Sequence, residues 1–253
     1  MERLPAFYPE TWGTVPAPRP ARVPPGLREI SVSPIDINIF ATRAEYVTRA
    51  GTGNESDWSG GVFKGSEVDT YDQSGPGGKG TRTMMTTLFH ECSHQFMDVA
   101  VGDVPSFITE GIASLFEGIQ VLSNGSIRRD LPVPDRLTPL AEALRKGTAL
   151  PLRKVFNAPE NKPELYMYRW GIMYFLRMYV DESGRYVFRA RLQDYIYDFK
   201  RGGVGDEVEH FTTFVLDEVK APALLTFAEF EAVWTRWILD LDAELKTADT
   251  RLD

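Results

Sequence analysis

The stretch TLFHECSHQFMD, residues 87 to 98, holds His90, Glu91 and His94. On a helix, residues four apart lie one above the other, so His90 and His94 share a face and can bind one metal ion together. Neutral imidazole nitrogens suit zinc, and Glu91 beside the first ligand is a carboxylate able to take a proton from water on the metal. That chemistry is metal-assisted hydrolysis. The chain has only three histidines, and two of them fall at this spacing with a glutamate in the required place, which scatter on a solvated helix explains poorly. A catalytic zinc site also needs a third protein ligand and an open position for water. PSFITEGIASLFEG, residues 105 to 118, offers Glu110, with Glu117 as its competitor. Ile108, Ile112, Leu115, Phe116 and Ile119 repeat at helical spacing, which predicts a helix burying one face and carrying Glu110 near its start.

The elements that must position these groups follow from the pattern on either side. Residues 1 to 26 are rich in proline and read as an extended arm or linker. REISVSPIDINIF, from Arg28 to Phe40, has β-branched residues around a break at Pro34 and reads as one or two strands; ATRAEYVTRAG then reads as a short helix. A glycine-rich loop covers residues 51 to 61, and GVFKGSEVDTYDQ after it alternates like an exposed strand or hairpin. SGPGGKG, residues 74 to 80, is a loop without phosphate-loop spacing. The metal helix is expected from about Thr81 to Val99, and its apolar bulk (Met84, Leu88, Phe89, Phe96, Met97) requires burial. Gly102 and Pro105 mark the turn into the Glu110 helix.

Beyond these, residues 123 to 139 read as a loop before a short helix from Leu140 to Lys146. PELYMYRWGIMYFLRMYVDESG, residues 163 to 184, reads as a helix covered on most sides, with Tyr166, Tyr168 and Tyr174 either in the core or able to steady an oxyanion. The remainder to Lys246 alternates helical stretches with breaks. Its one histidine, His210, reads as an exposed helix residue rather than a catalytic one.

Composition sets outer limits. A 253-residue chain with 43% hydrophobic and 25% charged residues is long enough for a substantial core, and it contains no apolar run able to cross a bilayer. The net charge of −8 argues against nucleic acid as a partner, because phosphate-backbone binding needs a basic surface. Cys92 is the only cysteine, so it forms no intramolecular disulfide; its place two residues from each histidine turns it away from the ligand face and into the core. The amino terminus lacks the apolar stretch of a signal peptide, which by itself predicts a soluble protein kept inside the cell. A chain whose export signal has been removed reads the same, so an exported or periplasmic location stays open.

Taken together, the two motifs resemble those of the gluzincins, zinc peptidases whose third ligand is a glutamate on a helix after the His-Glu-x-x-His helix; thermolysin and the aminopeptidases are familiar members. More closely, the chain is similar to the bacterial peptidase MA-like proteins, over about Arg28 to Tyr179. The resemblance implies a zincin-like α+β fold in which the edge strand of a small mixed sheet packs on the metal-binding helix, with a mainly helical C-terminal part. On that reading residues 27–253 form the peptidase domain, its sheet and active-site helices over about 27–122 and its helical part over about 139–248. The resemblance makes His90, His94 and Glu110 the ligands of Zn2+, Glu91 the general base and Tyr166 the oxyanion residue. It also implies a peptide or protein substrate, held as an added strand along the sheet edge. The expected function is hydrolysis of peptide bonds through a zinc-activated water. The alternative is a non-catalytic zinc-bearing binding or scaffolding domain of a bacterial surface protein.

Overall fold

A computed structural model of the chain describes residues 34–50, 59–74, 80–199, 205–217 and 226–249. The proline-rich arm, the start of the first strand region and most of the loops at 51–61 and 74–80 lie outside the described residues. The protein is mixed α+β with helix predominating, and it divides into two compact units. One comprises residues 1–103 with 116–129, the other residues 104–115 with 130–253.

In the first unit, β1 (Asp36–Phe40) starts just after Pro34 and leads into α1 (Arg43–Ala50). A reciprocal capping box opens α1: Glu45 N–H donates to the Thr42 hydroxyl and Thr42 N–H to the Glu45 carboxylate, both at 3.2 Å. β2 (Gly61–Phe63) and β3 (Glu67–Tyr71) follow as an antiparallel hairpin, and β1 pairs parallel to β3. The order β1-β3-β2 makes a mixed sheet with β2 at one edge.

The segment expected as an exposed strand or hairpin is the β2–β3 hairpin, but it is not exposed: β2 is buried at Gly61 and half-buried at Val62 and Phe63. β3 is central, and Val68, Asp69 and Thr70 are all buried. Asp69 is buried there with partners from outside its own strand: Lys64 of the turn donates to it at 2.7 Å and the Asn38 amide of β1 donates to it at 2.8 Å. Burial pushes the Asp69 carboxyl up, but those two partners outweigh it and hold the group below its ordinary range.

α2 (Thr81–Ala100) packs on β2 and β3. It ends through Gly102, whose φ of +82° suits a residue without Cβ and whose N–H returns to the Met97 carbonyl at 3.0 Å. A two-strand ribbon pairs β4 (Gln120–Val121) with β5 (Ile127–Arg128), and β5 falls within the stretch 123 to 139 expected as loop.

The second unit is helical. α3 (Ser106–Phe116) carries Glu110 and is covered on nearly every side rather than along one stripe, because Gly111, Ala113 and Ser114 fill the faces between its large apolar residues. α4 spans Pro134–Lys146, six residues longer at its start than expected. Pro134 at the first turn suits a helix start, where its missing N–H has no partner to lose. Pro139 inside the helix costs a backbone bond that the burial of Leu137, Leu140 and Ala141 offsets.

After the short α5 (Leu152–Phe156), α6 (Pro163–Met178) forms the centre of this unit and packs against α4, α5, α7 (Arg189–Asp198) and α9 (Phe227–Asp249). Between α7 and α9, α8 (Glu207–Phe211) runs into a π-helical turn over Thr212–Leu216. Trp170, Phe175, Phe188, Phe230 and Trp234 make the core.

α3 and α6 approach closely at Gly111, where an added Cβ would lie 2.6 Å from Met173 Cγ and 2.8 Å from the Arg169 carbonyl oxygen. Methionine can move aside, but the backbone oxygen cannot. Gly111→Ala is therefore expected to destabilise the protein by about 1–3 kcal/mol through overpacking, despite alanine's better helix propensity. Urea unfolding of the two proteins measures this, and an unchanged midpoint would refute the close contact.

Candidate metal centre

His90 and His94 sit on successive turns of α2, their ring centroids 5.1 Å apart and their planes at 72°. The i, i+4 spacing that suggested a shared face does bring the rings together. His90 is buried and His94 partly so. Glu110, buried in α3, completes the group: one ligand atom from each of His90, His94 and Glu110 lies within 4.8 Å of the other two. Two imidazoles and a carboxylate are a donor set that suits a first-row divalent cation such as zinc.

Glu117 is not the third member. Its carboxylate lies 2.8 Å from His90 Nδ1, with both side chains almost fully buried. A carboxylate only accepts, so Nδ1 carries the hydrogen and donates it, which leaves the lone pair of a neutral ring on Nε2. A carboxylate behind a histidine in this way fixes the ring's direction and raises its basicity toward a metal. The residue that the spacing offered as a rival ligand thus orients one of the candidate ligands. Its position seven residues after Glu110, two turns further along, was the available signal.

Glu91, next to His90, is partly buried and reaches the sheet: its Oε2 accepts the Phe63 N–H of β2 at 3.0 Å. Lys64 N–H bonds back to Glu67 within the hairpin, whereas the Phe63 N–H leaves the sheet for the helix. The approach needs glycine. A Cβ on Gly61 would stand 2.7 Å from Thr87 Cγ2 and 3.0 Å from Glu91 Cγ, so the β2 backbone lies as close to α2 as it does only because the side chain is missing.

Glu110 is held within its own unit. The Asn161 amide donates to Glu110 Oε1 at 3.0 Å, and Arg169 Nη1 donates to Asn161 Oδ1 at 2.8 Å. Burial pulls the Arg169 pKa down while the charge of Glu110 opposes it. Asn161 and Arg169 carried no motif and were not anticipated from the sequence.

The remaining candidates separate. Tyr168 accepts the Leu150 N–H at 2.9 Å, and Tyr174 donates to the Asp130 carbonyl at 2.9 Å with its pKa raised by burial, so both hydroxyls are engaged with backbone of the helical unit. Tyr166 is buried in the first turn of α6 with the Arg136 guanidinium 5.1 Å from its ring centroid. His210 is half-buried rather than exposed: its Nε2 meets Asp198 at 3.1 Å and the rings of Tyr195, Phe199 and Phe214 surround it. Cys92 is buried, as expected, and burial together with the neighbouring Glu91 charge pushes its thiol up to about 12, so it is no thiolate ligand.

Compared with family models, with curated proteins and with solved structures, the chain matches none of them.

The Glu117 contact gives a direct test. For a divalent cation held at this centre, Glu117→Ala is expected to weaken binding by about 10–100-fold, with Glu117→Gln in between because its carbonyl still accepts from Nδ1. Competition with a coloured chelator reads the affinity, and parent-like binding by Glu117→Ala would remove Glu117 from the site.

Proposed function

We propose that the protein is a zinc-dependent peptidase of the gluzincin type, with a zincin-like arrangement of sheet edge, ligand helix and third-ligand helix. The reading is carried by one observation, the convergence of His90, His94 and Glu110 beside a glutamate that follows the first histidine. A zinc ion held by these three residues supplies a Lewis acid for the scissile carbonyl and makes water acidic enough to react near pH 7.

Glu91 takes the proton of the attacking water and passes it to the departing amine, the general acid–base role its place on the ligand helix allows. Its hydrogen bond from the Phe63 N–H keeps the carboxylate turned toward β2. That strand forms an edge of the sheet, and an extended peptide laid along it would present backbone rather than particular side chains. Tyr166 is the residue proposed to steady the tetrahedral oxygen. A domain that merely carried a structural zinc would close the coordination with a fourth protein ligand. Among the described residues the group of possible ligands contains three.

The test pairs metal content with cleavage. One zinc per chain and hydrolysis of a peptide library are expected for the parent; Glu91→Gln should retain the zinc and lose about 10²–10⁴-fold in turnover. His94→Ala should lose the zinc. Equal cleavage by Glu91→Gln and the parent would exclude the mechanism.

A further inference from the structure

Arg169 is fully buried in α6, and each hydrogen bond it makes goes to a neutral oxygen: Asn161 Oδ1 at 2.8 Å, the Glu160 carbonyl at 2.8 Å and the Ala158 carbonyl at 3.1 Å. All three belong to the segment 157–162 that joins α5 to α6, whose side chains are mostly exposed. The Ser106 hydroxyl at the start of α3 donates to the Pro159 carbonyl at 3.1 Å, so the segment is also tied to the helix that carries Glu110. A buried guanidinium ordinarily takes a carboxylate as partner. Here a carboxylate is within electrostatic range, Glu110, yet the contact between the two is made through the Asn161 amide.

We propose that Asn161 and Arg169 are positioning residues for the third metal ligand, a role that rests on the zinc reading above. Arg169 has only hydrogens to give, so the amide must turn its oxygen toward the guanidinium and its NH2 toward Glu110. The amide then fixes the carboxylate by Oε1 without bringing a positive charge against it. A direct arginine contact would hold Glu110 equally firmly but would compete with the cation for its charge. Asn161 acts as a neutral spacer, transmitting the order of a buried arginine to a ligand that has to stay anionic. An exposed asparagine in a connecting loop would otherwise be open to substitution at little cost.

The experiment measures zinc affinity by chelator competition, the visible spectrum of the cobalt-loaded protein and the melting temperature of the metal-free protein. Asn161→Ala is expected to weaken zinc binding by about 10-fold or more and to alter the cobalt spectrum, with the metal-free melting temperature close to that of the parent. A purely structural residue would show the reverse, a lowered melting temperature with unchanged affinity and spectrum, and that result overturns the proposal. Lys162→Ala, which removes an exposed ammonium bonded to Glu160, should leave affinity unchanged. In the Asn161→Ala background, Arg169→Lys should add no further loss of affinity, because Arg169 acts through the amide that is gone. Asn161→Ala binding zinc as tightly as the parent overturns the positioning role and leaves the zinc reading standing. A parent that binds no zinc overturns both.

Discussion

A ligand taken out of water has to be aimed. A solvated imidazole or carboxylate can turn toward an arriving cation, whereas a buried one is held in whatever direction its hydrogen bonds impose, and a wrong direction cannot be corrected cheaply. The surroundings of His90 and Glu110 follow this constraint. His90 is oriented by an acceptor, the Glu117 carboxylate at Nδ1, the arrangement that would leave Nε2 to meet a cation. Glu110 is oriented by a donor, the Asn161 amide, because a carboxylate must keep its charge. As candidate ligands, an imidazole and a carboxylate call for opposite partners, and each has the kind its chemistry suits.

The same constraint reaches into the scaffold through backbone rather than side chains. Glu91 is turned by a main-chain N–H of β2, and this works only while Gly61 lets the strand lie against the helix. Arg169 spends two of its hydrogen bonds on carbonyls of the α5–α6 connection, so the loop's path and the position of Asn161 are set together. Backbone groups of β2 and of the α5–α6 connection thereby bear on the placement of Glu91 and of Asn161, which holds Glu110.

The site was legible in the sequence where its determinants are local. The four-residue spacing of His90 and His94 depends only on helix geometry, and Gly80 and Gly102 bracket that helix with the backbone freedom its ends need. The helical period of residues 108 to 119 revealed α3, but the choice between Glu110 and Glu117 depended on which carboxylate the tertiary fold brings beside the rings. Polar residues whose partners are distant in sequence read as more exposed than they are. Asp69 looked exposed because its partners, Asn38 and Lys64, come from other strands or turns; His210 looked exposed because the aromatic rings around it come partly from α7. Pro139 hid the start of α4, since the cost of an interior proline is visible locally and the burial that offsets it is not. Asn161 left no trace at all: an asparagine among prolines and charges in a connecting loop is the commonest kind of surface residue.

Cys92 lies between the two histidines and is the protein's only thiol, buried and pushed up to about 12. An alkylating reagent in neutral solution meets almost no thiolate there and cannot reach the sulfur while α2 stays packed. Modification must wait until the helix opens, so its rate reports the free energy of local opening at the very turn that carries the ligands. A buried thiol between His90 and His94 is thus a built-in gauge of how firmly that turn is held.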